Sequence, residues 1–368
     1  MRVRGIALAV IFSFNLAAQQ WQFANPGSVY EFPRDHFSHP EYQTEWWYYT
    51  GNLRATDGRR FGFELTFFRQ REHLTPEQMA ASDPVWRPEQ IYLAHLALSD
   101  IHGQKFFHTE RINRAGPGLA GAALADQKYW NGNWHSKWIS LTTGEQELQA
   151  VCDQLKFELR LKPEKPFVIN GQDGISVKGP LPGEASHYIS NTRLGVSGKL
   201  TWQKHDFDVS GVAWMDHEYF SDKEDNDLNG WDWFAIQLDN DQELMLYRLR
   251  RKSGDNQFSS GTYVDASGQS HFLNASQFEV QQLETWHSKQ SAATYPISWR
   301  ITVPSLKLDL TERTALADQE LYEAGNATPT YWEGAVTYDG SIGPTKVRGV
   351  GYLEMTGYAA STQGIGSP

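Results

Sequence analysis

The feature that most constrains this chain is a weak internal repeat carried on strand-like segments. Laid on itself at an offset of about 185 residues, then about 165, then about 138, the sequence matches in four places in the same order. Trp46-x-Tyr48 with Leu53 matches Trp231-x-Trp233 with Leu238, and Asp100-x-x-Gly103-Gln104-x-x-Phe107 matches Asp265-x-x-Gly268-Gln269-x-x-Phe272. Gly198-x-x-Thr201-Trp202 matches Gly334-x-x-Thr337-Tyr338. The longest match sets Val209-x-Gly211-Val212-x-Trp214-x-Asp216 against Val347-x-Gly349-Val350-x-Tyr352-x-Glu354. A shrinking offset means that insertions lengthen the first unit.

The repeated segments read as strands. Leu155, Phe157, Leu159 and Leu161 alternate with Lys156, Glu158 and Arg160, and Leu306, Leu308 and Leu310 alternate with Lys307 and Asp309. Period-2 alternation of this kind marks half-buried antiparallel strands. Turn pairs such as Asp57-Gly58, Asp173-Gly174 and Asp339-Gly340 punctuate them. Helical periodicity is scarce; one short helix is expected to open at Thr75-Pro76. The chain is therefore expected to be all-β, with related units over 30–224 and 225–358 and a loose tail over 359–368. Each unit has strands enough to close an antiparallel barrel of roughly eight, a size that holds a small ligand.

Acidic residues outnumber basic ones by 44 to 33 and no basic run occurs, which argues against a nucleic-acid partner. Arg2 and Arg4, an apolar run from Ile6 to Phe14 and small residues to Ala18 have the order of a secretory leader over 1–18. That run is shorter than the roughly 20 residues a spanning helix needs, so no stable membrane span is expected. A periplasmic or secreted address follows, in which the single Cys152 has no internal disulfide partner.

Glu45-Trp46-Trp47-Tyr48-Tyr49-Thr50-Gly51-Asn52-Leu53 is an unusual run, and it has company. Ala213-Trp214-Met215-Asp216-His217-Glu218-Tyr219, Gly230-Trp231-Asp232-Trp233-Phe234, Tyr331-Trp332-Glu333-Gly334 and Gly351-Tyr352-x-Glu354-x-Thr356-Gly357-Tyr358 complete a set. From about His36 to Tyr358 this set resembles the AttH and carotenoid 1,2-hydratase family, whose exported bacterial members are described as secreted hydrolases. The resemblance implies two tandem lipocalin-like (calycin) barrels and cofactor-free acid chemistry on a lipophilic, isoprenoid- or lipid-like molecule. It places the acid on Asp216 with His217 beside it and an upstream histidine on His187, in Ser186-His187-Tyr188. Trp214 and Ile189 depart from the carotenoid enzymes, which hold Tyr and an aromatic there. For the AttH branch it also implies an alternative, a non-enzymatic carrier working beside an ABC-type transporter.

Hydration of an electron-rich alkene needs an acid to protonate carbon, and a carboxyl kept neutral by an apolar pocket can supply it. On a regular strand Trp214, Asp216 and Glu218 share one face while Ala213, Met215 and His217 share the other. Asp216 and His217 then enter one cavity only if the strand ends or bulges there. Asp216 reads either as that acid or as a rim carboxylate in an ion pair. Glu354, its counterpart in the repeat, is a second carboxyl candidate. Trp46, Trp47, Tyr188, Trp231 and Trp233 are the expected aromatic lining, and Glu45 is expected to anchor structure. His95, on one face with Ile91, Leu93 and Ala97, reads as a core histidine. Trp130, Trp134 and Trp138 suggest one helical face or, as a third functional reading, a sugar-stacking platform. No Gly-x-Ser-x-Gly or His-Glu-x-x-His motif occurs, and no metal site is expected.

Overall fold

The computed structural model describes residues 21–71, 89–221, 227–254, 257–322 and 329–359. The leader over 1–18, the short helix at Thr75 and the tail beyond Ala359 lie outside the described residues. No helix among the described residues is long and apolar enough to cross a membrane.

A first sheet opens with β1 (Thr44–Ala55), β2 (Arg60–Arg71), β3 (Gln90–Asp100) and β4 (Lys105–Arg114). It continues through β5 (Ala120–Ala123), β6 (Lys128–Asn131), β7 (Trp134–Trp138), β8 (Gln146–Val151) and β9 (Leu155–Pro163). Two short pieces, β10 (Val168–Ile169) and β11 (Ser176–Val177), precede the long strands β12 (Ala185–Trp202) and β13 (His205–Phe220). The order across it is β4-β3-β2-β1-β13-β12-β9-β8-β7-β6-β5.

The second sheet begins with β14 (Leu228–Leu238), β15 (Glu243–Arg251), β16 (Ser260–Val264), β17 (Ser270–Asn274) and β18 (Glu279–His287). Then come β19 (Thr294–Val303), β20 (Leu308–Thr314), β21 (Glu320–Leu321), β22 (Tyr331–Ile342) and β23 (Thr345–Met355). Its order is β17-β16-β15-β14-β23-β22-β20-β19-β18. The repeat is thus visible as topology: β1, β12 and β13 hold the places that β14, β22 and β23 hold in the second sheet.

Neither sheet is a plain eight-stranded barrel. The first is a near-barrel whose ends meet at β4 and β6. There Asn113 Nδ2 donates to Asn131 Oδ1 at 2.6 Å, and Asn131 Nδ2 reaches the Arg111 carbonyl at 3.2 Å, in place of a backbone ladder. The second is an open half-barrel, with no pairing of β17 to β18 among the described residues. Leu306 falls in a short 3-10 turn just before β20 rather than in the strand.

Each sheet fills its own inner face. Trp47, Tyr49, Phe63, Leu65, Leu96 and Met215 belong to the first core, and Phe234, Ile236, Trp299, Trp332 and Leu353 to the second. Where the sequence predicts a ligand inside a barrel, the inner faces are filled by packed side chains, and an aromatic cavity lies between the sheets instead. Trp134 and Trp138 are also core residues, on the same face of β7, and not a helical face or a sugar platform. A four-residue spacing is even, so it satisfies a strand as well as a helix turn.

The outer faces of the sheets meet through a third apolar cluster that includes Tyr48, Tyr188, Trp214, Trp233, Tyr247 and Tyr352. They come close at Gly62, where a Cβ would lie 2.5 Å from the Ala335 Cβ and 2.8 Å from the Tyr352 hydroxyl. Only glycine permits that approach.

Candidate active site between the two sheets

Period 2 along β1 sends Trp47 and Tyr49 into the first core, and so it must turn Trp46 and Tyr48 toward the second sheet. The ladder fixes what stands beside them: Trp46 pairs with Glu218 and Tyr48 with Asp216 on β13. On β12, Tyr188 pairs with Glu218 and Ser190 with Asp216. Glu64 and Phe68 on β2 continue this face. The second sheet answers with Trp231 and Trp233 on β14, Tyr331 and Glu333 on β22, and Glu354 on β23. Trp233 and Glu333 both pair with Glu354. Between these faces lies a cavity of about 110 Å³, walled mainly by aromatic rings.

Asp216 is held at three points. Ser190 Oγ and Trp214 Nε1 donate to its Oδ1 at 2.5 and 2.7 Å, and the Tyr188 hydroxyl donates to Oδ2 at 2.5 Å. Trp233 Nε1 in turn donates to the Tyr188 hydroxyl at 2.9 Å, so a chain of bonds crosses from the second sheet to the carboxyl. All three donors are neutral. Burial therefore outweighs them and, with the Glu218 carboxylate nearby, pushes the Asp216 carboxyl up to about 7.

Burial does the same to the other carboxyls of the cavity. Glu64 is pushed up to about 7 against the bonds from Thr66 and Tyr331, and Glu354 to about 8 against a bond from Trp231. Glu333, which accepts a bond from the Tyr48 hydroxyl, is held well above the carboxylate range by burial and by Glu64 and Glu354. Lys178, the one lysine of the cavity among the described residues, is already engaged: its Nζ lies 3.1 Å from Glu218 Oε1 and 4.0 Å from the Tyr247 ring centre.

The expected site residues divide between two faces. Asp216, Tyr188, Trp46, Trp231, Trp233 and Glu354 line the cavity, and Trp214 stands behind Asp216 against Trp233. Trp47, Glu45, His187 and His217 do not. The β12–β13 register is regular from His187 to Asn191, so no bulge turns His187 or His217 toward Asp216. His187 instead meets the Tyr42 hydroxyl at 3.0 Å and stacks on Tyr219, with burial and His39 pushing its imidazole down to about 4.

Glu45 is the anchor expected of it. Arg69 Nε donates to Oε2 at 2.9 Å, while His39 Nδ1 and His217 Nε2 lie 2.8 and 2.9 Å from Oε1. Burial alone would raise this carboxyl, but Arg69 and the two histidines hold it well below its ordinary value. His39, Glu45 and His217 form the group, among the described residues, whose ligand atoms lie close enough for a metal ion. Each is already bonded directly to its neighbour, and the Arg69 guanidinium sits on the same carboxylate, so an ion would have to displace these bonds.

Sequence reasoning missed Glu64, Glu333 and Lys178, and it misplaced His95. The core face of β3 is Ala94, Leu96 and Leu98; His95 lies on the other face, where its Nδ1 meets the Tyr331 hydroxyl at 2.6 Å. Signals existed for two of these. Glu64 is the lone charge inside Phe61–Phe68, and Glu333 sits within one of the recurrent aromatic motifs.

The AttH-like family profile matches residues 23–358 of the chain. The crystal structure of a protein of Nitrosomonas europaea assigned as an AttH is 32% identical, at a TM-score of 0.78, covering 91% of this chain and 99% of that one. Kievitone hydratase from Nectria haematococca shares the fold at 14% identity and a TM-score of 0.68, over 94% of this chain and 97% of its own. CghA in complex with Sch210972 does so at 11% identity and a TM-score of 0.55, over 92% and 96%. No curated protein sequence matches. The motifs, the profile and the near-complete structural match agree, and the chain belongs to the AttH-like family.

Proposed function

We propose that this protein is an exported, cofactor-free hydratase, or a hydrolase using the same acid, that acts on a lipophilic isoprenoid- or lipid-like molecule between two lipocalin-like units. The observation that carries the reading is a buried aromatic cavity whose carboxyls are held in the neutral range by burial. Such carboxyls are protonated donors near neutral pH, which an alkene substrate requires. Asp216 gives its proton to one alkene carbon, the π pair becoming the new C–H bond. The positive charge left on the neighbouring carbon faces the rings of Trp46 and Trp233. Water adds to that carbon, and its surplus proton returns to the Asp216 carboxylate, with Glu354 the second carboxyl within reach of the cavity. Trp214, Ser190 and Tyr188 position the acid. His187 and His217, on the far faces of β12 and β13, are positioning residues for those strands. The hydratase named among proteins of this fold supports the reading.

The test starts with native mass spectrometry of the purified protein and extraction of any bound lipophile. That molecule is then incubated with wild type and Asp216→Asn, and the product is weighed for the gain of one water. Turnover is expected to fall by about 10²–10⁴ in the variant, with affinity retained. Equal turnover would remove Asp216 from the chemistry. A ligand bound tightly and returned unaltered by wild type would instead make the protein a carrier, the alternative with an ABC-type transporter as partner.

A further inference from the structure

Asp216 has every acceptor occupied, but the opposite side of the cavity does not. Glu64 Oε2 on β2 and Glu333 Oε2 on β22 are buried and find no hydrogen-bond partner among the described residues. The two side chains come from different sheets and line the same space. Their other oxygens are bonded, Glu64 Oε1 to Thr66 Oγ1 at 2.7 Å and Glu333 Oε1 to the Tyr48 hydroxyl. Each carboxyl is therefore held in place by one oxygen, while the Tyr331 hydroxyl, already bonded to His95, also acts on Glu64 without giving its Oε2 a well-formed bond. A buried carboxyl oxygen left without a partner is costly, so the site is incomplete as it stands.

What would complete it follows from the surroundings. Among the described residues five carboxyls line the cavity, and the one lysine there is paired with Glu218. Tyr48, Tyr331, Trp231 and Trp46 line the same space. Carboxyl oxygens plus aromatic faces are the recognition chemistry of an organic cation. A metal ion does not suit, because the carboxyl oxygens of Glu64, Glu333 and Glu354 are not gathered at ligand spacing, unlike His39, Glu45 and His217. We propose that Glu64 and Glu333 form a headgroup subsite for a protonated amine, and that the ligand of this cavity is a lipophilic amine whose apolar body lies over Trp231 and Trp233 toward Asp216. This rests on the functional reading above and adds the substrate class. The arriving ammonium would convert the subsite carboxyls to carboxylates, so binding releases protons.

Titration calorimetry of the whole protein at pH 7 with octylammonium, octanol and octanoate tests it, in two buffers of different ionisation enthalpy. Octylammonium is expected to bind at least about tenfold more tightly than octanol, with proton release, and octanoate more weakly than either. In the Glu64→Gln, Glu333→Gln double variant the preference should shrink to about twofold, whereas Asp216→Asn should keep it. Glutamine preserves the shape of carboxyls already close to neutral, and unchanged near-ultraviolet circular dichroism checks the fold. Each single variant, expected to lose part of the preference, serves if the double does not fold. Octanol binding as tightly as octylammonium would overturn the headgroup assignment and leave the hydratase reading intact. A preference lost in Asp216→Asn but kept in the double glutamine variant would overturn it too, by placing the charge at the reacting end. If none of the three binds, both readings fall.

Discussion

Glu45 and Asp216 stand on paired strands, three register positions apart, and are equally buried, yet their surroundings drive them in opposite directions. Glu45 points to the inner side of β1, where Arg69 and two histidines converge on its oxygens. Asp216 points to the outer side of β13, where every donor it meets is a neutral hydroxyl or indole. Desolvation raises both carboxyls, and only a bonded cation reverses it. One carboxylate thereby ties the 33–42 segment to the end of the first sheet, and the other is left without a cation, as the proposed proton donor requires. For this pair of carboxyls the number of cations within bonding distance, not burial, sets the direction of the shift.

The strongest test of that contrast is to remove the cation. Arg69→Met should destabilise the fold by about 3–5 kcal/mol in urea unfolding, because Glu45 is left as an unpaired buried charge. Asp216→Asn, measured the same way at pH 8, should be neutral or slightly stabilising, since it removes a buried charge that only neutral donors compensate. Equal losses in the two variants would end the distinction.

Next in size is the pH dependence of stability. Glu64, Asp216 and Glu354 titrate near 7 to 8 when folded and near their ordinary values when unfolded. The folded state then binds more protons between about pH 4 and 8, and stability falls as pH rises through that window. Asp35 and Glu45 are shifted down, so their contribution is present above their ordinary values and is lost as pH falls through and below them. Melting temperature against pH should therefore show two limbs. The Glu64→Gln, Glu354→Gln variant should reduce the slope of the alkaline limb, and Arg69→Met, by removing the largest influence that lowers Glu45, should reduce that of the acid limb.

The smallest expected effect is the most local. Tyr188→Phe removes one donor to Asp216 Oδ2, and that bond lowers the carboxyl's proton affinity. The pH at which turnover is lost should move up by less than about one unit, with stability reduced by about 1–2 kcal/mol. A shift in the opposite direction would mean that the Tyr188 hydroxyl accepts from Asp216 rather than donating to it.

Much of this was legible in the residues. The order of the repeat reappears as equivalent strand positions, and the β9 alternation of Leu155 to Leu161 is buried and exposed in turn. Parity alone placed Trp214, Asp216 and Glu218 on one face and His217 on the other. The anchor role of Glu45 was also within reach, since a buried carboxylate among tryptophans must be paired. The position of His95 was not legible, because both faces of β3 are apolar enough to pass for a core.

The sequence by itself determined the strand period, the duplication and the family, because side-chain alternation and recurrent motifs are local and survive insertions. It also settled which residues of a strand travel together. Only the tertiary structure decided which of the two faces is a filled interior and which is the wall of a cavity. On β1 both faces are aromatic, Trp46 and Tyr48 against Trp47 and Tyr49, so composition cannot choose between them. The choice is made by docking of the second sheet, which brings Glu333 to Tyr48 and Tyr331 to His95 across most of the chain's length. A proton-donating carboxyl is likewise a tertiary property: it depends on the absence of a cation within bonding distance, and no local pattern encodes an absence.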